Sequence, residues 1–439
     1  MDAAAILVIA AAIFVWGVVS ARLERADLSA PIVFVVVGVV LAAVGLVDAA
    51  TAPETLQPLV EITLVWVLFS DAARVRIQDL RADAGRYVRL LAVGLPLTVL
   101  AGWGLAAWLF PGLGLWTALL VGAALAPTDA ALGVPVVTNP VVPSRVRRLI
   151  NVESGLNDGI ATPVVMVALA GAASVEGLAD APGLAEALLE LAIGTVVGVA
   201  LGGGGGWLLR RARDVGWVAE EFAGIAVLGL ALAAYTAALV AHGNGFVAAF
   251  CGGLAFGAAA GRRGPAELAF TEQAGSAVSL LVWLAFGAIG VPIMLERASW
   301  TILLYAVLSL TVVRMIPVAL ALFGAGLDPA AVRFISWFGP RGLASLLFAL
   351  LALEQLGSDA DEAVAVITVT VLLSVVAHGI SAAPLAARFG RLAAAHGPEP
   401  GGPVPDLPVR GLPRRRPAVV GAGRPPAESA PPEPGGSHG

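Results

Sequence analysis

A dense group of polar residues lies inside a long apolar stretch, and their side chains could bind an ion. Residues 151–159 have the sequence N-V-E-S-G-L-N-D-G. On a helix that turns about 100° per residue, Ser154 and Asp158 share one face, while Glu153 and Asn157 form the adjacent stripe. Carboxylate, hydroxyl and amide oxygens are hard ligands, which suit a small alkali cation. The pattern predicts an ion-binding helix. A water-filled loop is the alternative, which the apolar residues that follow disfavour.

A second polar group precedes this cluster and contains a proline. Pro127 lacks a backbone donor and so frees a carbonyl near Ala123, and Asp129 follows closely. We predict that Asp129 and Asp158 close around one dehydrated alkali cation. A bare kink is the alternative, but a kink does not require an aspartate. Because a carboxylate buried in apolar surroundings must be neutralised, a proton and a cation would compete for Asp158.

A lone arginine lies in the middle of another apolar stretch. Arg314 follows L-S-L-T-V-V and precedes M-I-P. Arginine keeps its charge in proteins, so it needs a permanent partner in an apolar interior. We predict that Glu153 is this partner, which leaves Asp158 as the group that titrates.

The composition sets the environment of these residues. The 439 residues are 59% hydrophobic and 13% charged, with a mean hydropathy of +0.90. Soluble proteins are about 45–50% apolar and about 25% charged, so the composition excludes a soluble enzyme. All basic residues are arginine, which excludes Schiff-base chemistry and a Walker A phosphate loop. One cysteine and four histidines form no zinc pattern, so we expect no cofactor.

Thirteen apolar segments predict an all-α membrane protein with thirteen transmembrane helices. Every arginine-rich loop follows an odd-numbered segment, so the amino end is expected outside and the carboxyl end in the cytoplasm. Residues 388–439 are rich in Pro and Gly, which predicts a disordered cytoplasmic tail after a transmembrane domain at 1–387. The segments are 3–20, 31–47, 56–71, 87–110, 113–138, 149–173, 184–209, 219–241, 245–260, 267–293, 300–324, 334–353 and 363–385.

The segments also suggest an internal repeat. Residues 3–173 and 219–385 each contain six segments, and an offset of seven helices makes the two halves inverted copies. Segment five is interrupted near residues 126–129, and segment twelve near residues 338–342, at matching places in the halves. Secondary transporters with inverted repeats have their binding sites at such interrupted helices.

Taken together and in this order, the motifs resemble those of the monovalent cation:proton antiporters of the NhaP and NHE type. The resemblance implies an NhaA/NhaP-like fold. It also implies a homodimer, in which each protomer has a dimerisation domain and a core domain with crossed, half-unwound helices five and twelve. The motifs are L-F-S-D-A at 68–72, A-P-T-D at 126–129, the cluster at 151–159, F-T-E-Q at 270–273, Arg314 and F-G-P-R-G-L-A-S at 338–345.

The resemblance also assigns roles to single residues. Asp158 is implied as the ion and proton carrier, with Asn157 as its neutral neighbour. The family's common Asp-Pro is Asp129-Ala130 here, and Pro127 is the expected substitute. The other implied roles are cation coordination by Thr128, Asp129 and Ser154, an ion pair of Glu153 with Arg314, a helix-break element with Gly339 and Arg341 that offsets helix carboxyl ends, and a contribution of Asp71 in some members.

We therefore expect a secondary antiporter of the plasma membrane that exchanges one sodium ion for one proton, with potassium as the alternative cation. A cation channel would need a ring of repeated acids or carbonyls, which the sequence lacks. A hydrolase with Ser154 as nucleophile and His242 or His378 as base is a third alternative, but neither histidine lies in a motif. The expected partners are the transported ions, membrane lipid and a second copy of the chain, and not nucleic acid.

Overall fold

The computed structural model describes residues 3–24, 29–46, 52–75, 83–129, 131–175, 184–261 and 264–395, and every regular element in these ranges is helical. The all-α prediction is thus confirmed. We number the helices in chain order as α1 Ala3–Glu24, α2 Ala30–Ala43, α3 Ala52–Arg74, α4 Ala84–Leu109, α5 Gly114–Ala124, α6 Val134–Val137, α7 Ser144–Val175, α8 Leu184–Asp214, α9 Glu220–Val240, α10 Gly245–Ala259, α11 Gly264–Glu296, α12 Trp300–Ala321, α13 Pro329–Trp337, α14 Leu343–Leu356 and α15 Asp361–Ala395.

Many of these helices can cross a membrane. Among the described residues, eight helical stretches are long and apolar enough to cross a membrane, judged by length and composition alone. They lie in α1, α4, α7, α8, α9, α11, α12 and the run from α14 into α15. The helices α2 and α10 and the stretch Pro111–Ala124 are apolar but shorter. Each predicted segment coincides with a helix or with two shorter helices, so the chain is a multi-pass membrane protein, while the count of thirteen crossings stays a prediction.

Segments five and twelve are the two that do not form continuous helices, as predicted. The helix α5 ends at Ala124, and five residues separate the end of α13 at Trp337 from the start of α14 at Leu343. Proline cannot donate a helical hydrogen bond, and glycine weakens a helix, so Pro127 and the Gly-Pro-Arg-Gly sequence interrupt both. The two breaks lie against each other, because the backbone N–H of Asp129 donates to the carbonyl oxygen of Pro340 at 2.7 Å.

The core of the fold contains the helices that flank these breaks. Every side chain of α14 from residue 343 to 353 is buried. The helix α7 buries polar as well as apolar residues, among them Glu153, Ser154, Asn157 and Asp158. A helix that buries polar groups on this scale requires partners on neighbouring elements for them.

Outside this core, α8 and α10 approach each other very closely. Gly194, Gly198 and Gly202 recur every fourth residue along α8 and face the backbone of α10 and of Asn244, the residue before it. A Cβ atom at Gly202 would lie 2.0 Å from the carbonyl oxygen of Gly252. Small residues at this spacing allow membrane helices to pack with their backbones in contact.

The last helix extends past one predicted boundary, and the division of the chain into domains stays a prediction. The helix α15 continues to Ala395, past the predicted start of the tail at residue 388. The reason is packing, because the ring of Phe389 stacks on Phe334 at a centroid distance of 4.5 Å. Gly390 also packs against Val141. The rest of the predicted tail, residues 396–439, lies outside the described residues.

The glycine run 202–206 offers a test of the packing of α8 on α10. We expect Gly202→Ala to lower the stability by about 1–3 kcal/mol, because the new methyl group collides with backbone. Gly204→Ala is the matched control, since nothing lies within 4 Å of its Cβ position. It should be neutral or stabilising by up to about 1 kcal/mol. Thermal unfolding in detergent measures both, and equal melting temperatures would contradict the packing.

Candidate functional site

The polar residues of α7 meet the break that follows α5. The hydroxyl oxygens of Thr128 and Ser154 are 2.8 Å apart, and the side-chain amide of Asn157 donates to the Thr128 hydroxyl at 2.7 Å. Asp158 is the next residue of α7, and only 7% of it is exposed. One turn further, the hydroxyl of Thr162 donates to the carbonyl oxygen of Asp158. The structure thus joins three of the predicted ion-binding residues in one hydrogen-bonded group beside the predicted carrier.

Asp129 contacts the other break. Its Oδ2 atom accepts a hydrogen bond from the backbone N–H of Leu343 at 2.9 Å, and its Oδ1 atom accepts one from Ala131. Leu343 is the first residue of α14, so the carboxylate stabilises the positive end of that helix. A Cβ atom at Gly342 would lie 2.0 Å from Oδ2, so this contact requires glycine there. A cation shared by Asp129 and Asp158 stays a prediction.

Arg341 makes the reciprocal contact. Its Nη1 atom donates to the carbonyl oxygens of Ala126 at 2.6 Å and Pro127 at 2.9 Å, just beyond the carboxyl end of α5. The hydroxyl of Ser345 donates to the carbonyl oxygen of Ala124. A cation at a helix carboxyl end is favourable. The fully buried guanidinium therefore satisfies carbonyls that the break in segment five leaves without helical partners.

Gly339 lets the break of segment twelve approach two functional side chains. A Cβ atom at this position would lie 2.5 Å from Nε of Arg314 and 2.9 Å from Cγ2 of Thr128. Any larger residue would displace one of these neighbours. The predicted helix-break element thus links the ion pair to the polar group around Thr128.

Glu153 and Arg314 form a buried ion pair. Nη1 of Arg314 donates to Oε1 of Glu153 at 2.5 Å, and the two side chains are only 2% and 4% exposed, respectively. A π turn at Ser309–Val313 ends directly before Arg314. Such a wider turn changes the face of the helix on which the following residues lie. This is the pair that we predicted from the position of Arg314 in an apolar stretch.

Asp71 lies on α3, beside the polar stretch of α7. Its backbone carbonyl oxygen is 3.8 Å from a Cβ position at Gly155. Its carboxylate oxygen Oδ1 is 3.5 Å from Nη1 of Arg74, and Arg74 in turn donates to Glu272 on α11 at 2.6 Å. The structure therefore places Asp71 in a network between α3 and α11, and a role in ion binding stays a prediction.

The sequence analysis missed the residues of α15 that contact the break. The hydroxyl oxygen of Ser374 accepts a hydrogen bond from the backbone N–H of Arg341 at 2.7 Å. The ring of His378 lies between Ser374 and the carbonyl oxygen of Trp337. The one available signal in the sequence was that Ser374 and His378, two polar residues in an apolar segment, are four positions apart and so share a helix face.

The same contacts bear on the hydrolase alternative. The hydroxyl of Ser154 is hydrogen-bonded to Thr128, while both ring nitrogens of His378 contact Ser374 and Trp337. His242 is exposed at the end of α9. In the described part of the chain, no hydrogen bond joins Ser154 to either histidine. The serine-histidine pair that a hydrolase needs is therefore not assembled.

These features define a class of protein. Two broken helices that meet inside an all-helical membrane protein, with buried carboxylates at the meeting point, are the arrangement of a secondary transporter. The chain belongs to the sodium/hydrogen exchanger family, since the profile described as "Sodium/hydrogen exchanger, transmembrane" matches residues 8–388. This confirms the resemblance seen in the sequence motifs.

Individual relatives agree with this assignment. The Na(+)/H(+) antiporter NhaP of Pseudomonas aeruginosa is 28% identical over 362 residues, which cover 75% of this chain and 81% of that protein. The K(+)/H(+) antiporter NhaP2 of Shewanella sp. strain ANA-3 is 29% identical over 196 residues, so the match spans only 33% of that relative's length and 45% of this chain. The fold is similar to that of the sodium proton antiporter MjNhaP1 from Methanocaldococcus jannaschii, with a TM-score of 0.73 and 21% identity over 88% of this chain and 98% of that chain.

The ion pair makes a stability prediction. Glu153→Gln should destabilise the protein by about 3–5 kcal/mol, because Arg314 is left as an uncompensated buried charge. The double variant Glu153→Gln with Arg314→Met should regain most of this loss. The matched control is the pair of Arg297 with Asp361, in which the arginine is 48% exposed. Arg297→Gln should cost at most about 1 kcal/mol. Unfolding in detergent measures all three, and a double variant no more stable than the single one would contradict the pairing.

Proposed function

We propose that this chain is a secondary antiporter that exchanges a monovalent cation for protons across the plasma membrane, with Asp158 as the carrier. One observation carries the proposal. Asp158 is buried directly beside the hydrogen-bonded group of Thr128, Ser154 and Asn157, at the place where two broken helices meet. Membership in the exchanger family and the names of both relatives support the same activity.

The exchange follows from the cost of a buried charge. A carboxylate in apolar surroundings requires either a proton or a cation to neutralise it. Because both occupy the same group, binding of one releases the other, and this competition couples the two fluxes. The hydroxyl oxygens of Ser154 on α7 and of Thr128 are 2.8 Å apart and supply further hard ligands.

Asp129 is the second acid of the proposed cation site. Each of its carboxylate oxygens accepts one backbone hydrogen bond, from Leu343 or Ala131. A carboxylate has about four lone-pair positions, so both oxygens retain capacity for a cation. In this proposal Asp129 stabilises the start of α14 and contributes to the cation site at the same time.

The cation is sodium in this proposal, with potassium as the alternative, and the relatives' names include both ions. Asn157 precedes Asp158 where a second aspartate would add a second titrating group. One titrating carboxylate favours exchange of one cation for one proton, which moves no net charge. The gradients of the two ions supply the driving force, so no cofactor is required.

We place the amino end outside and the carboxyl end in the cytoplasm, because the loop arginines follow odd-numbered segments. The proposed assembly is a homodimer, in which a core domain with both breaks moves against a static domain. The helix α1 is available for contact with a partner or with lipid, since almost all of its most apolar stretch is exposed on the protomer.

The carrier role of Asp158 is tested in vesicles with an imposed proton gradient. Asp158→Asn should reduce cation-dependent proton movement to background, because an amide neither binds a proton nor neutralises a cation. Asp359→Asn, at an exposed position after α14, is the control and should retain exchange. Addition of sodium, potassium or lithium identifies the cation. Retained exchange in a correctly folded Asp158→Asn variant would disprove the assignment, and a channel would collapse the gradient without any added cation.

The stoichiometry makes a separate prediction. In proteoliposomes with equal ion concentrations on both sides, an imposed voltage should drive neither current nor cation uptake, since each cycle moves no net charge. A clamped membrane potential should likewise leave the exchange rate unchanged. Voltage-driven transport without ion gradients would show that more than one proton is exchanged for each cation.

A further inference from the structure

One face of α15 presents three polar side chains to the break between α13 and α14. Ser374, His378 and Ser381 follow the i, i+4, i+7 spacing of a single helix face. Ser374 accepts a hydrogen bond from the backbone of Arg341 at 2.7 Å, and Ser381 accepts one from the indole N–H of Trp337 at 3.0 Å. All three side chains therefore contact the two ends of the same break.

His378 joins these contacts. Its Nε2 atom is 3.0 Å from the carbonyl oxygen of Trp337, and its Nδ1 atom is 3.1 Å from the hydroxyl oxygen of Ser374. Nδ1 is also 2.9 Å from the carbonyl oxygen of Ser374, and a carbonyl oxygen can only accept, so whichever ring nitrogen carries the proton can donate to one of these two carbonyls. The ring also stacks on the indole of Trp337, with a centroid distance of 5.2 Å. The histidine is thus fixed on both sides and buried.

The break needs such partners because its backbone groups lie in an apolar core. Trp337 ends α13, and Arg341 precedes α14 by two positions, so the carbonyl of Trp337 and the N–H of Arg341 are not paired within a continuous helix. The Trp337 carbonyl also accepts a hydrogen bond from the backbone N–H of Gly339 at 2.8 Å. A buried backbone group without a partner costs about 1–3 kcal/mol. Asp129 contacts the break from one side, at Pro340 and Leu343, and α15 contacts it from the other.

We propose that Ser374 and His378 are positioning residues for the ion site. They do not touch the cation. They hold Trp337 and Arg341 so that the guanidinium of Arg341 reaches the carbonyls of Ala126 and Pro127, which directly precede Thr128. This inference rests on the proposed antiport, but its structural part is independent of transport.

Hydrogen exchange tests the structural part. Ser374→Ala should speed the exchange of backbone amides in peptides that span residues 339–346 by about fivefold, since the Arg341 amide loses its acceptor. Thr370→Val, one turn earlier on α15, is the control, because the hydrogen bond of the Thr370 hydroxyl among the described residues is to Val366 of its own helix. It should leave the exchange of these peptides unchanged. Equal exchange in the Ser374→Ala variant and the unmodified protein would overturn the proposal.

Transport kinetics test the functional part. His378→Leu should raise the apparent KM for the cation about fivefold to tenfold, as expected for the loss of one or two hydrogen bonds, and change the maximal rate less. His378→Gln should restore most of the affinity, because its amide can donate to the carbonyl oxygen of Trp337. A value of KM equal to that of the unmodified protein in His378→Leu, or equal impairment of the leucine and glutamine variants, would overturn the positioning role.

The two experiments separate this inference from the proposed function. If the unmodified protein exchanges no cation for protons, the proposed antiport fails, while hydrogen exchange still tests the contacts of Ser374. If the unmodified protein exchanges ions and the Thr370→Val control behaves like it, a normal KM in His378→Leu refutes only the inference.

Discussion

The fold depends on how the backbone groups at the ends of two broken helices find hydrogen-bond partners inside a membrane. The hydrocarbon core offers no water to replace the lost hydrogen bonds, so irregular backbone survives there only if protein groups pair with it. Asp129 provides a negative charge at the start of α14, and Arg341 provides a positive charge beyond the end of α5. Each break therefore supplies the charge that the other requires, and neither helix could be interrupted alone at the same cost.

The acids near the two breaks differ in their contacts. Glu153 is held by Arg314, Asp71 lies next to Arg74, and Asp129 accepts hydrogen bonds from two backbone amides. These contacts are built into the packing of helices. Asp158 directly follows Asn157, whose side-chain amide donates to Thr128 in the hydrogen-bonded group with Ser154. The hydroxyl oxygens of this group are hard ligands that suit an alkali cation.

Much of this organisation could be predicted from residue type and spacing. The cost of a buried charge leads from Arg314 to Glu153, and proline and glycine mark both breaks. The sequence could not reveal that the carboxylate of Asp129 caps α14, because periodicity defines the face of a helix and not the element that packs against it. For the same reason the role of Ser374 was missed. The continuation of α15 past residue 388 is accompanied by the stacking of Phe389 on a distant residue, Phe334, which a local composition change cannot show.

The contacts also restrict which helices could belong to the proposed moving domain. The breaks bind to each other and to α15 through buried hydrogen bonds, each of which would cost about 1–3 kcal/mol to leave unmade. These elements must therefore move together. On the other side, α8 is locked to α10 by backbone contacts at its glycines. Between the two groups, the ring of Phe250 on α10 covers Gly159 of α7, where a Cβ atom would lie 1.9 Å from the ring. An apolar ring against a glycine would have no hydrogen bond to lose in the proposed movement of the core domain, and Gly159 is the residue after Asp158.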